Sequence, residues 1–199
     1  MLSDLKRPYH LAKALLAVLF YGFPARKLKV IAVTGTDGKT TMVNLIYHIL
    51  KTSGEKVSAI STVWALIEKR KIDTGFHTTT PGPFALQGLL SRMVKVGSKY
   101  AVLEATSHAL DQYRLLGSNV YIGVLTNVTH EHLDYHGTFQ KYLGAKIKLF
   151  RMAKIVVLNR LDKSVKTIAK RLGRKKRIVY YPEELSSSLK KAVDFRFPV

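Results

Sequence analysis

Residues 34–41 read Thr34-Gly35-Thr36-Asp37-Gly38-Lys39-Thr40-Thr41 and follow directly on the apolar run Val30-Ile31-Ala32-Val33. A strand that breaks into a glycine-rich turn and restarts as Gly-Lys-Thr is suited to a polyphosphate. Glycines let the backbone bend so that successive N–H groups face phosphate oxygens, and the following helix N-terminus adds partial positive charge. Lys39 can reach the β- and γ-phosphates, and the Thr40 hydroxyl can ligate Mg²⁺. The common phosphate-loop spacing would put a further glycine at position 33, which is Val33 here. The short form is rarer and therefore more specific.

Other chemistry-bearing residues fall after apolar runs. Glu104 closes Tyr100-Ala-Val-Leu-Glu104, and a carboxylate at a strand tip beside such a loop can hold Mg²⁺ directly or through water. Residues 130–136 hold His130, Glu131, His132, Asp134 and His136. That density points to metal or phosphate work, yet the spacing fits no structural zinc site and the chain has no cysteine. The loop His77-Thr78-Thr79-Thr80-Pro81-Gly82 offers hydroxyls and N–H groups ahead of a helix, a weak signal for an anionic ligand. Arg114, with Gln112 nearby, could fork onto a phosphate or carboxylate. Lys146, in Tyr142-Leu-Gly-Ala-Lys146, reads on its own as one solvated lysine among many.

The elements that must position these residues alternate. Strands are expected at Lys29–Val33, Val57–Thr62, Tyr100–Ala105, Val120–Thr126, Lys154–Leu158 and Arg177–Tyr181. Helices are expected at Lys39–Ser53 (with Leu45, Ile46, Ile49 and Leu50 at helical spacing), Phe84–Val96, His108–Leu116, Phe139–Phe150 and Asp162–Leu172, with Asp162 as its N-cap. Residues 63–80 look like a strand-and-loop excursion. Strands alternating with helices imply an α/β fold with a mostly parallel sheet covered on both faces, and ligands then sit at the carboxyl ends of the strands. Every chemically interesting loop here follows a strand.

The chain has 199 residues, 47% of them hydrophobic, which supplies a sizeable core. Absence of cysteine excludes disulfides and fits a reducing, cytoplasmic setting. The apolar stretch from Ala14 to Phe23 is too short to span a bilayer and no small-x-small cleavage site follows, so it reads as an amphipathic or buried helix ending at Gly22-Phe23-Pro24. The net charge is +20, and from Lys141 onward 17 Lys/Arg stand against 4 Asp/Glu. Such an excess attracts polyanions. The basic run 171–177 lacks interleaved aromatics, so no nucleic-acid partner is expected.

Gly35-Thr-Asp-Gly-Lys-Thr-Thr41, Thr79-Thr80-Pro81, Glu104-Ala-Thr-Ser-His-Ala-Leu110, Thr126-Asn127, Glu131-His-Leu-Asp-Tyr-His-Gly137 and Ala145-Lys146 occur together and in this order. Together they resemble the Mur ligase family, and within it the MurE-like branch of UDP-N-acetylmuramoyl-L-alanyl-D-glutamate–diamino acid ligases. The resemblance implies that Gly35, Thr36, Asp37, Gly38, Lys39, Thr40, Thr41 and Asn127 bind ATP. Thr40, Glu104, His132 and a carbamylated Lys146 would belong to the Mg²⁺ site. Thr79, Thr80, Ser107, Gln112 and Arg114 would contact the UDP-muramoyl-dipeptide. Lys39, Glu104, His132 and Lys146 would carry catalysis.

Under this reading residues 1–28 form an N-terminal helical segment, and 29–199 a central ATP-binding domain that stops short of the family's full domain. The implied reaction is amide formation through an acyl phosphate, with a diamino acid as nucleophile, in peptidoglycan synthesis. Departures from the pattern are Asp37 where many members have Asn, Glu131 where the branch has Asp, and Asn159-Arg-Leu-Asp162, which lacks one acid. A folylpolyglutamate synthase-like ligase, or a nucleotide-binding module without complete ligase activity, are the alternatives.

Overall fold

The computed structural model describes residues 6–62, 64–67, 70–73, 80–129 and 133–182. Eight strands form one sheet: β1 (Lys29–Thr34), β2 (Val57–Ile60), β3 (Trp64–Ile67), β4 (Arg70–Asp73), β5 (Tyr100–Glu104), β6 (Val120–Leu125), β7 (Ile155–Asn159) and β8 (Arg177–Tyr181). Their order is β4-β3-β2-β5-β1-β6-β7-β8. From β2 to β8 all neighbours pair in parallel, while β3 and β4 add an antiparallel edge. The expected strand-and-loop excursion is thus a hairpin that widens the sheet.

The helices are α1 (Arg7–Phe20), α2 (Lys39–Thr52), α3 (Pro83–Lys95), α4 (Ser107–Asp111), α5 (Leu133–His136), α6 (Phe139–Met152) and α7 (Val165–Leu172). A 3-10 turn, Pro24–Lys27, joins α1 to β1. β1 shows why both faces need cover. Successive side chains of a strand point to opposite sides, and all of Val30, Ile31, Ala32 and Val33 are buried. Val30 and Ala32 belong to a core that α3, α4, α6 and α7 complete with residues such as Leu90, Leu110, Phe150 and Ile168. Ile31 and Val33 belong to a second core with Val43 and Tyr47 of α2. Full burial of each large apolar side chain contributes roughly 1.5–3 kcal/mol, so the central strands are held from both sides.

Three local expectations change. The stripe of α2 that meets the sheet is Val43 and Tyr47, buried, with Ile46 and Leu50 partly buried beside them, at i, i+4, i+3 and i+7; Leu45 and Ile49 are exposed. The helix expected at His108–Leu116 is the short α4, because Tyr113 takes a left-handed conformation, φ 55°, that a continuing helix does not allow. Helix α7 begins at Val165 after Ser164, so Asp162 is not its N-cap. Asp162 instead accepts hydrogen bonds from Val128 N at 2.6 Å and Ser164 N at 2.8 Å, tying the β7–α7 loop to the end of β6.

Candidate functional site

The turn between β1 and α2 is supported from below by the segment that follows β6 and by α6. Gly35 lies so close to β6 that an added Cβ would stand 1.7 Å from Thr126 Oγ1. Asn127 Oδ1 accepts from Thr36 N at 3.1 Å and Asp37 N at 2.8 Å, and Thr126 Oγ1 donates to Asp37 O at 2.7 Å. The Thr36 hydroxyl pairs with Tyr142 Oη at 3.0 Å and accepts from Thr129 N at 2.9 Å. Asn127 therefore acts as a strut that consumes two N–H groups of the turn. The N–H groups further along, at the start of α2, have no side-chain cap, and Gly38 holds φ 74° there. An uncapped helix start after a glycine turn leaves donors and partial positive charge directed at one place. Asp37 and Gly38 are exposed, while Lys39 and Thr40 are half-buried. Lys39 Nζ folds back onto Thr36 O at 2.5 Å.

Lys146 overturns the reading that residue type alone suggests. It is 1% exposed, and its Nζ donates to Gly35 O at 2.7 Å. The same nitrogen lies 4.5 Å from the centre of the Tyr142 ring. Tyr142 and Lys146 are four residues apart on α6 and so share one face, which presses on the underside of the turn. No sequence signal singles out Tyr142 except that spacing.

Glu104 sits beside the turn because β5 pairs with β1 in a register that sets Glu104 against Val33. Its carboxylate is buried and accepts from Thr62 N at 3.2 Å and Thr62 Oγ1 at 2.9 Å. Thr80 Oγ1 donates to Glu104 O at 3.1 Å, and Thr106 N donates to Thr80 Oγ1 at 3.2 Å. Arg114 Nη1 donates to Thr80 O at 2.6 Å, while its Nε and Nη2 donate to Gln112 Oε1 at 3.0 and 2.7 Å. Burial lowers the Arg114 pKa from its ordinary value; a guanidinium stays charged regardless. Ser107 is buried at the start of α4. Thr80, Glu104, Gln112 and Arg114 thus form one connected wall. Thr79 and His132 lie outside the described residues. Among the described residues no three His, Cys, Asp or Glu side chains gather as a metal cluster. The donors that do flank the turn, the Glu104 carboxylate and Thr40 hydroxyl, are hard oxygens of the kind Mg²⁺ takes.

Two cavities open beside α7 and the loop that precedes it. One, of about 510 Å³, is lined by residues including Val128, Thr129, Leu143, Leu161, Asp162 and Ser164. A second, of about 720 Å³, lies against Arg160, Lys163, Lys166 and Tyr180. Thr129, which donates to Thr36 Oγ1, joins the first of them to the Gly35–Thr41 turn. The tips of β7 and β8 brace this region: Asn159 Nδ2 donates to Thr126 O and Tyr181 Oη to Leu125 O, each at 2.8 Å.

Residues 33–196 match the Mur ligase middle domain. The chain belongs to the Mur ligase family. Among curated relatives, the UDP-N-acetylmuramoyl-L-alanyl-D-glutamate–2,6-diaminopimelate ligase of Parabacteroides distasonis is 45% identical over 139 residues, which is 70% of this chain and 28% of that protein. The UDP-N-acetylmuramyl-tripeptide synthetase of Borreliella afzelii is 47% identical over 136 residues, 67% of this chain and 27% of its own length. A solved diaminopimelate ligase of the same description superposes with a TM-score of 0.68 at 34% identity, over 77% of this chain and 31% of that one. Escherichia coli FolC in complex with DHPP and ADP gives 0.66 at 18% identity, over 84% and 46%, a likeness of fold. This Mur ligase chain therefore spans about a third or less of the curated relatives it matches. The similarity favours the MurE-like branch over a FolC-like one.

Proposed function

We propose that this chain is the ATP-binding core of a MurE-type ligase, which joins a diamino acid to the D-glutamate carboxylate of UDP-MurNAc-L-Ala-D-Glu. One observation carries the reading: the Gly35–Thr41 turn, the buried Glu104 carboxylate and the buried Lys146 converge at the carboxyl ends of β1, β5 and β6, in a chain 45% identical to such a ligase. ATP phosphates would rest on the free N–H groups at the start of α2, with Lys39 swinging from Thr36 O to the terminal phosphates. The cavity at Val128, Thr129 and Leu161 would take the nucleoside end. Asn127 serves ATP by holding the turn rather than by touching the nucleotide.

The reaction is amide formation. Transfer of the terminal phosphoryl group to the carboxylate gives an acyl phosphate. The amine then attacks the carbonyl carbon, and phosphate departs. No protein nucleophile is needed, so this chain's task is positioning and charge stabilisation. Lys39 offsets charge on the transferred group. Arg114 keeps part of its donor fork for an anionic substrate after serving Thr80 and Gln112, and Thr80 and Ser107 complete that wall. Thr40, Glu104 and His132 would hold Mg²⁺, which when bound would neutralise phosphate charge. A carbamate on Lys146 would retain one N–H for Gly35 O and present an anion. Labelled bicarbonate should give a carbamate resonance in the chain that disappears in Lys146→Arg.

Titration calorimetry of ATP with and without Mg²⁺ tests the proposal. Binding that needs Mg²⁺ and weakens at least about tenfold in Lys39→Ala is expected, since a charge-assisted contact of about 1.5–3 kcal/mol is removed. A folded chain giving no heat with Mg-ATP would refute it.

A further inference from the structure

Helix α1 is packed inside out. The residues it buries are small: Ala14, Ala17 and Val18. The residues it turns to solvent are large and apolar: Tyr9, Leu11, Leu15, Leu16, Leu19 and Phe20, from 37% exposed at Leu11 to 75% at Phe20. A surface helix ordinarily shows the reverse arrangement. Its rotation is fixed by close seating. A Cβ at Gly117 would come 2.6 Å from Val18 Cγ2, and one at Gly88 of α3 would come 3.0 Å from Tyr21 Oη. The leucines cannot turn inward without unseating both contacts. Phe20 also meets Phe84 of α3, itself 38% exposed, with ring centroids 6.1 Å apart, so the apolar face continues onto a second helix.

The sequence in and beside α1 is cationic: it carries Lys6, Lys13, Arg26 and Lys27, and residues 5–36 contain no Asp or Glu. The acid that reaches the helix is Asp111 of α4, paired with Arg7. Arg26 stacks over Phe23 at 4.3 Å, a cation and an aromatic ring at the end of the patch. Helix α1 is about 21 Å long, too short to cross a hydrocarbon core of about 30 Å, and no described helix is long and apolar enough to do so. Leucines and aromatics on one face, with a cationic border, are what an in-plane helix presents to acidic headgroups. A second copy of a chain carrying +20 would bring two such borders together, which like charge opposes.

We propose that α1 docks the protein on an anionic bilayer surface, its leucine face in the headgroup–acyl boundary and its lysines and arginines on lipid phosphates. The proposal stands apart from the nucleotide chemistry. The test is flotation of the full chain with vesicles of phosphatidylcholine alone or mixed with phosphatidylglycerol, at low and high salt. The comparison variant is Leu15→Gln/Leu19→Gln, which leaves charge unchanged and alters only outward-facing side chains; circular dichroism and melting temperature verify its fold. The expected result is flotation with the mixed vesicles only, reduced by salt and by at least about tenfold in the variant. Equal flotation of variant and wild type would overturn the proposal, since general basic charge would then explain all binding. So would failure to float at all, or self-association that the same variant abolishes.

Discussion

Gly35 shows how one residue fixes the geometry of the candidate site. The position needs no positive φ; it needs the absence of a side chain, because Thr126 Oγ1 occupies the space a methyl group would take. Gly35→Ala should therefore destabilise the fold by about 1–3 kcal/mol through overpacking. Thr126→Ala should recover part of that loss, and only part, because Asn127 O would still stand 3.1 Å from the new Cβ and the bond to Asp37 O is lost. Denaturant unfolding of both single variants and the double variant measures this coupling. Additive effects would mean that the turn relaxes away from β6. Lys146 makes a complementary point about what sequence conveys. The glycines and Lys39 are legible because their chemistry depends on neighbours in the chain. The contact of Lys146 is with Gly35, far away in sequence, so residue type alone does not show its burial beneath the turn, and the family resemblance is what singles it out.

At the scale of elements, Asp111 joins three helices. It ends α4, its Oδ1 accepts from Lys148 Nζ of α6 at 2.7 Å, and Arg7 of α1 stands 3.7 Å away. Burial alone would raise its carboxyl pKa. The hydrogen bond and charge of Lys148, with Arg7 and His136, outweigh burial and hold the pKa below the ordinary 3.8. The folded state thus favours the carboxylate. The stability it contributes is complete above the ordinary value and is lost as pH falls through the depressed folded one. Because Arg7 and Lys148 are partly exposed, the effect is about 1 kcal/mol. Unfolding curves on either side of pH 3.8 should show wild type losing that much more than Asp111→Asn; identical acid dependence would remove Asp111 from the account. The elements themselves were largely readable, since β1, β5 and β6 are uninterrupted apolar runs and α2 starts at the Gly-Lys-Thr break. Less readable were those that tertiary contacts decide. Leu45 and Ile49 fit a helical stripe as well as Val43 and Tyr47 do, and only the second pair meets the sheet. Tyr113 gives no local sign that it will adopt a left-handed turn and end α4. Asp162 resembles an N-cap, yet Val128 takes up its second oxygen.

For the whole molecule, the candidate site residues gather along one edge of the sheet. The Gly35–Thr41 turn, Glu104 and the Thr80–Arg114 wall all lie along the carboxyl edge of parallel strands, with cavities beside α7. Matched relatives are about three or more times as long as the matched region. An amide-forming step requires the amine to be held against the acyl phosphate at near-attack distance and water to be kept out, because acyl phosphates hydrolyse. Among the described residues, the edge is open on the side of α2, where Asp37, Gly38 and Thr41 face solvent. The 199-residue chain should therefore bind Mg-ATP yet give no multiple-turnover tripeptide synthesis when supplied with UDP-MurNAc-L-Ala-D-Glu and a diamino acid. Slow, substrate-dependent phosphate release without amide product is the most it should show, and Lys39→Ala should remove it. Chromatography of the reaction for tripeptide product decides the matter. Sustained product formation by the isolated chain would mean that the strand edge alone holds both reactants, and that the catalytic surface is complete within these eight strands.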